Sequence, residues 1–344
     1  MFEDFWGNQH VARALERMIA LDRIPQTMLF SGPKGVGKAT LARRFAAALL
    51  GHRELIEQDD LSLPGNVAAI AARERWAPDK RNDDPLLFAT YSDFVTFPPE
   101  GPLRQISIQQ MRLLKERAPY KPLRGRWRVF LVDHLDRANE QAANSLLKTL
   151  EEPPEHLILI LTAENVFDLL PTIRSRAVPF YFSPLSPEEL RNFAAARGLD
   201  SPEKRVALAG GSPGVAATLD LAAWEKRRRA MLALLQVASG QAAWSTWVPY
   251  SEALGRAKAE KLEFYLKVLY GLLRDLLILK VSQAEIQNRD LSGELAEISR
   301  RVDAGWIQHA TRKTDELAGL LRRNIQKVIA LDAWIAELEL ARGG

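Results

Sequence analysis

Apolar residues in the first half of the chain fall into short runs separated by stretches of helical spacing. The runs at 27–31, 129–132, 157–161 and 178–182 are largely apolar and too short for helices, as expected of strands buried on both faces. Between them, 40–50 is rich in Ala, Leu and Arg, and 107–117 sets Ile108, Met111 and Leu114 on one helical face. Residues 139–150 read as a helix that stops before Pro153 and Pro154. This alternation predicts an α/β domain, a parallel sheet with helices on both faces. Residues 51–104, rich in Pro, Asp and Arg, read as irregular with helical pieces.

Pro184 and Pro187 then punctuate the chain. Ser186, Pro187 and Glu189 combine an N-cap, a proline at the first helical position and a capping-box carboxylate. A small helical unit is expected to begin there and end near Asp220. Beyond Leu221 no strand pattern is visible, and helices are predicted at 224–239, 251–281, 291–302 and 311–341. In the last of these, Leu317, Leu320, Leu321, Ile325, Val328 and Ile335 share a face. The expected domains are 1–183, a nucleotide-binding α/β domain, 184–222, a helical lid, and 223–344, an all-α domain.

Composition narrows the chemistry. The 344 residues contain no cysteine, which excludes disulfides, thiolate zinc sites and a cysteine nucleophile. A net charge of +4 permits an acidic partner such as DNA without demanding one. The N-terminal MFEDFWGNQH is acidic and aromatic, unlike a signal peptide. The apolar stretch 264–281 is interrupted by Lys267, Arg274, Asp275 and Lys280 and reads as a buried helix rather than a membrane span. A cytoplasmic protein without membrane contact is expected.

The string GPKGVGKAT, residues 32–40, is a phosphate-binding loop with one substitution. Gly32, Gly37 and Lys38 stand where the pattern needs them, but Ala39 occupies the place of the Ser or Thr that ligates magnesium. Backbone amides of Lys34, Gly35, Val36, Gly37, Lys38, Ala39 and Thr40 can cradle phosphate oxygens, and the following helix adds its dipole. Thr40 cannot replace the missing hydroxyl, because one helical position turns its side chain roughly 100° away. The apolar run 129–132 ends in Asp133, as in a Walker B strand, where an Asp holds magnesium. The residue that follows is His134 where ATPases usually carry a Glu. A nucleotide, ATP or ADP, bound without hydrolysis is the expectation, with no metal ligand set.

NSLLKTLEEPP at 144–154, LLPTIRSRA at 169–177 and GGSPGVA at 210–216 follow in order. With the two Walker elements, they make residues 1 to about 220 resemble the bacterial DNA polymerase III clamp-loader subunits of the AAA+ superfamily. The resemblance implies a RecA-like AAA+ domain, a lid and a C-terminal collar in a five-subunit ring. Among these subunits the chain is most similar to the delta-prime type. Hydrolysing gamma/tau subunits have Ser or Thr, Glu and a sensor 2 Arg where this chain has Ala39, His134 and Val215. The four-cysteine zinc module found in many relatives has no counterpart here.

The resemblance also implies that Ser175 and Arg176 face a neighbouring subunit, with Arg176 as an arginine finger in trans; Arg174 is the weaker candidate. Thr162 falls at the sensor 1 position. The implied partners are gamma/tau and delta subunits, the sliding clamp and primer-template DNA, within the DNA polymerase III holoenzyme. No intrinsic ATPase is expected; the alternative is a gamma/tau-like ATPase with its own hydrolysis. Arg112, Lys115, Arg117, Lys121, Arg124, Arg126 and Arg128 form a basic segment suited to phosphate contact or to a solvated face, and the same two readings apply to residues 227–229.

Overall fold

The strand order β2-β3-β4-β1-β5 defines the sheet at the centre of the first part of the molecule. In the computed structural model, residues 1–256, 262–282, 286–320 and 326–342 are described. They divide into two units, Met1–Thr218 and Leu219–Gly344. The first unit runs α1 (Gln9–Ala20), β1 (Thr27–Ser31), α2 (Lys38–Leu50), α3 (Arg53–Glu57), α4 (Pro64–Arg73), α5 (Pro78–Asp83), β2 (Phe94–Phe97) and α6 (Ile108–Arg117). It continues with β3 (Arg128–Val132), α7 (Glu140–Glu151), β4 (Leu157–Ala163), α8 (Pro171–Arg174), β5 (Val178–Tyr181), α9 (Pro187–Ala196), α10 (Pro202–Ala209) and α11 (Pro213–Thr218).

Every pairing in the sheet is parallel, with Thr27 opposite Leu159, Val129 opposite Ile158, Phe94 opposite Val129 and Met28 opposite Val178. The unbroken apolar runs are explained by the period-2 pleat. Met28, Phe30, Val129, Leu131, Ile158 and Ile160 face one buried layer, with Leu41 and Phe45 of α2. Leu29, Phe130, Val132, Leu159 and Leu161 face the other, with Met111 and Leu114 of α6 and Leu146 of α7. Pro179 is tolerated because β5 is an edge strand.

One strand was not legible in the sequence. β2, within the span read as irregular, is four residues long and lies between Asp93 and two prolines, Pro98 and Pro99. So short a run carries no period of its own, and its pairing with β3 supplies what the local sequence lacks. Asp93, buried, accepts from the backbone N–H groups of Leu123 and Arg124 at 2.9 and 3.0 Å and so ties the loop before β3 to the start of β2.

α9 begins with the capping box read from Ser186 and Glu189. The group α9–α11 gathers its own apolar cluster around Leu185, Leu190, Phe193, Ala209 and Ala216.

The described residues of the second unit form α12 (Leu221–Ala238), α13 (Val248–Arg256), α14 (Leu262–Val281), α15 (Ser292–Arg301), α16 (Ala304–Gly319) and α17 (Lys327–Arg342), with short 3₁₀ helices before α13 and α15. The span 251–281 expected as one helix contains the end of α13 and all of α14, and the span expected at 311–341 is shared by α16 and α17. Leu321 and Ile325 lie outside the described residues. α14 packs against α12, α15 and α16 over a core that includes Leu269, Leu272, Leu276 and Trp247. Its buried Asp275 accepts from the backbone N–H groups of Gln287 and Asn288 at 3.0 and 2.7 Å and from Asn288 Nδ2 at 2.8 Å. Among the described residues no helix is long and apolar enough to cross a membrane.

Asp275→Ala would remove the buried acceptor that Gln287 N, Asn288 N and Asn288 Nδ2 share. It is expected to destabilise the chain by roughly 3 kcal/mol, read as a lower urea midpoint.

Candidate functional site

The glycine loop is fastened at the carboxyl edge of the sheet. β1 ends at Ser31, and Gly32 N donates to Ala163 O at the end of β4, 3.2 Å away. Gly32 has φ 151°, and a side chain there would collide with the Phe182 carbonyl oxygen. Gly35 has φ 75°, and its own carbonyl accepts from Gly214 N at 2.9 Å. The GGSPGVA turn is therefore bonded to the glycine loop, a contact that spacing alone did not reveal.

Among the described residues, none of the backbone N–H groups from Lys34 to Thr40 finds a protein acceptor. Seven successive free amides, the last three in the first turn of α2, make a nest that fits a phosphate. Lys38 lies under it. Its Nζ donates to Gly32 O at 2.6 Å and Pro33 O at 2.8 Å, which leaves one of its three N–H bonds for an anion. Burial holds the Lys38 ammonium below its usual pKa, opposed by the charges of Asp133, Glu164 and Asp136.

The metal side of the site is different. Ala39 packs against the apolar layer of α2, and its methyl offers no oxygen. Asp133, on the same sheet edge, already accepts from Thr162 Oγ1 at 2.5 Å, and that oxygen accepts from His134 N at 2.8 Å. His134 adopts φ 57°, and its Nδ1 stands 3.6 Å from Glu164 Oε1 and 4.0 Å from Asp136 Oδ1. All three of those atoms are buried without a hydrogen bond. The residues present thus fit a phosphate and lack the hydroxyl and the Glu expected for a hydrolytic metal centre. Bound there, a nucleotide would be held through its phosphates by Lys38 and the amide nest. Asp136 and Glu164, beside Lys38, were not singled out from the sequence, since neither lies in a motif.

Arg176 belongs to the opposite edge. α8 ends at Arg174 with Ser175 as its C-cap, and the chain then enters β5, whose first residue pairs with Met28 near the start of β1. Four residues of strand, about 3.3 Å each, separate Met28 from Gly32, and Arg176 lies in the turn before Val178, at the opposite end of the strands from the glycine loop. The structure therefore groups Gly32, Lys34, Gly35, Val36, Gly37, Lys38, Ala39, Thr40 and Asp133 along one edge and leaves Ser175 and Arg176 apart from them. Arg174 lies over the ring of the exposed Phe167, 5.4 Å from its centre.

The basic segment is divided. Arg128 is buried, and its Nη1 donates to Arg117 O and Tyr120 O at 3.4 and 3.2 Å, so it braces the turn and is withdrawn from any phosphate. Arg126 pairs with Asp22 at 2.6 Å, whereas Arg112, Lys115, Lys121 and Arg124 are exposed. In the second unit Arg228 is buried against Asp290 and Glu225.

Two measurements check this geometry. Thr162→Val strips a partner from both Asp133 and the His134 amide and is expected to destabilise the chain by about 1–3 kcal/mol in urea unfolding. Burial raises the Asp136 pKa above its unfolded value. Between those two values the native chain holds a proton that the unfolded chain has lost. The stability from this group is thus fully present below the unfolded value and is lost as pH rises through the folded one. Asp136→Asn should flatten that slope in urea unfolding followed across pH, and be more stable than the parent above the folded value.

Residues 7–186 match the family model described as DNA polymerase III, delta subunit, a little over half of the 344 residues. The chain is 30% identical over 191 residues to DNA polymerase III subunit tau of Escherichia coli, an alignment covering 56% of this chain and 27% of that protein. It is 31% identical over 194 residues to subunit gamma/tau of Mycobacterium tuberculosis, covering 56% and 30%. The aligned stretch thus spans less than a third of the length of these two relatives. Of solved structures, a gamma subunit-related protein of Thermotoga maritima is 17% identical with a TM-score of 0.47, covering 95% of this chain and 99% of that one. A DNA clamp loader delta protein of Bacillus subtilis is 10% identical with a TM-score of 0.29 over the same shares. Neither structural likeness carries an argument about what this chain does. The glycine loop, Asp133 just after β3 and the Ser175–Arg176 pair all lie within the matched residues, and the chain belongs to the DNA polymerase III delta-subunit family.

Proposed function

We propose that the chain is a delta-prime-like, non-hydrolysing subunit of a DNA polymerase III clamp loader, working in the cytoplasm with gamma/tau and delta subunits. In this reading it helps place the sliding clamp on primer-template DNA and gives Arg176 to the γ-phosphate of ATP on an adjacent gamma/tau subunit. The observation that carries the reading is the division between the two sheet edges. The chain's own phosphate cradle lacks the metal hydroxyl at position 39 and the Glu at position 134. Its accessible arginine stands at the other end of the strands, away from that cradle and placed to serve another. A guanidinium suits that task because its charge is permanent and its N–H fork matches phosphate oxygens.

A second reading, a gamma/tau-like ATPase, is favoured by the named relatives and by the intact amide nest with Lys38. The first reading also uses that nest, for ATP or ADP held without turnover.

The test is steady-state ATPase of a loader reconstituted with gamma/tau, delta, clamp and primed DNA. Arg176→Ala is expected to lower turnover by roughly 100-fold or more, and an unchanged rate would overturn the finger role. The isolated chain should hydrolyse ATP no faster than background. Turnover by the isolated chain that disappears in Lys38→Ala would establish the second reading instead.

A further inference from the structure

The surroundings of Arg176 carry more than the arginine itself. Its Nη1 donates to Thr172 O at 2.9 Å and to Ser175 Oγ at 3.2 Å, and its Nη2 donates to Glu151 Oε1 at 2.8 Å. Contacts on both terminal nitrogens define the plane of a rigid fork. The Nε–H has no partner among the described residues and remains available. About a third of the arginine side chain and about half of the glutamate are exposed.

Two physical points argue that this pair is not there for stability. An ion pair so exposed adds little to folding, because water screens it and two long side chains must be ordered to form it. Glu151 also ends α7, where a carboxylate opposes the helix dipole. Its position is nevertheless well determined. The helix stops there, Pro153 and Pro154 follow, and α7 packs against α8, the helix that leads to Ser175.

We infer that Glu151 is a positioning residue for Arg176: its carboxylate holds the guanidinium in a set orientation, so that its free N–H edge is already aimed when a neighbour's nucleoside triphosphate arrives. This rests on the finger role proposed above and adds the group that aims it. An unguided arginine must lose its side-chain freedom on meeting the phosphate, whereas one already ordered has lost it on folding. The carboxylate acts as a hydrogen-bond acceptor, so an amide oxygen at the same place can do the same work.

The experiment compares Glu151→Ala, Glu151→Gln and Arg176→Ala in the reconstituted loader, with ATP as the varied substrate. Glu151→Ala is expected to lower kcat about tenfold with KM changed less than about twofold, because only transition-state contact is misaligned. Glu151→Gln should keep most of the parent rate. A parent-like Glu151→Ala overturns the inference. So does a faster rate in both variants, which would make Glu151 a latch competing with phosphate, or a loss in Glu151→Gln equal to that in Glu151→Ala, which would assign the effect to charge.

A second readout uses the isolated full chain. The Arg176 Nη2–H resonance, bonded to Glu151, should be resolved and slow to exchange with solvent in the parent and in Glu151→Gln, and averaged in Glu151→Ala. If Arg176→Ala leaves turnover unchanged while this signal depends on Glu151, the finger role fails and the orienting contact stands. If the signal is indifferent to Glu151, the orienting contact fails whatever the rates.

Discussion

A parallel sheet covered on both faces leaves no room for chemistry along its strands. Met28, Phe30, Phe130, Leu131, Leu159 and Ile160 are all buried, and alternate residues enter opposite apolar layers. An unpaired polar side chain in the middle of such a strand would be stranded without water. Apart from Thr96 in β2, the polar side chains of the strands lie at or near the strand ends, and the parallel direction of every strand gives the two ends different neighbours. The carboxyl ends of β1, β3 and β4 bring the glycine loop, Asp133 and Thr162 to one edge, and the chain entering β5 brings Arg176 to the other.

The first edge supplies a backbone cradle that fits a phosphate without the side chains expected of a hydrolytic metal centre. The phosphate half is a property of the backbone: seven free amides, two glycines in conformations closed to other residues, and Lys38 drawn in by two carbonyls. The metal half depends on side chains, and there a methyl at position 39 and an imidazole at position 134 stand in. Asp133 is occupied by Thr162, and His134 is turned toward Glu164 and Asp136. The cradle does not depend on those side chains, because the same glycine geometry also docks the turn at Gly214 against Gly35.

Much of this was readable beforehand. The central strands, the glycine loop, the capping box at Ser186 and the break after Glu151 each carry a local signal strong enough to survive without context. β2 carried none, since its four residues gain strand character only from pairing with β3. The basic run before β3 was legible only in part for a related reason. Charge is visible in a sequence, but Arg128 bends back to two carbonyls while Arg124 remains exposed.

The sequence by itself determined which groups exist and in what local setting: a glycine loop ending in Lys38, no hydroxyl at position 39, no cysteine, and a Ser-Arg pair after a proline-started turn. Periodicity and capping are short-range, so the amino-acid order was enough to specify them. Only the tertiary structure decided which groups meet. Glu151 precedes Arg176 by 25 residues and touches it, Gly214 is far along the chain from Gly35 and bonds to it, and Arg176 is kept away from Lys38. Those relations follow from strand order and helix packing, which are long-range and leave no mark in any local stretch of the chain.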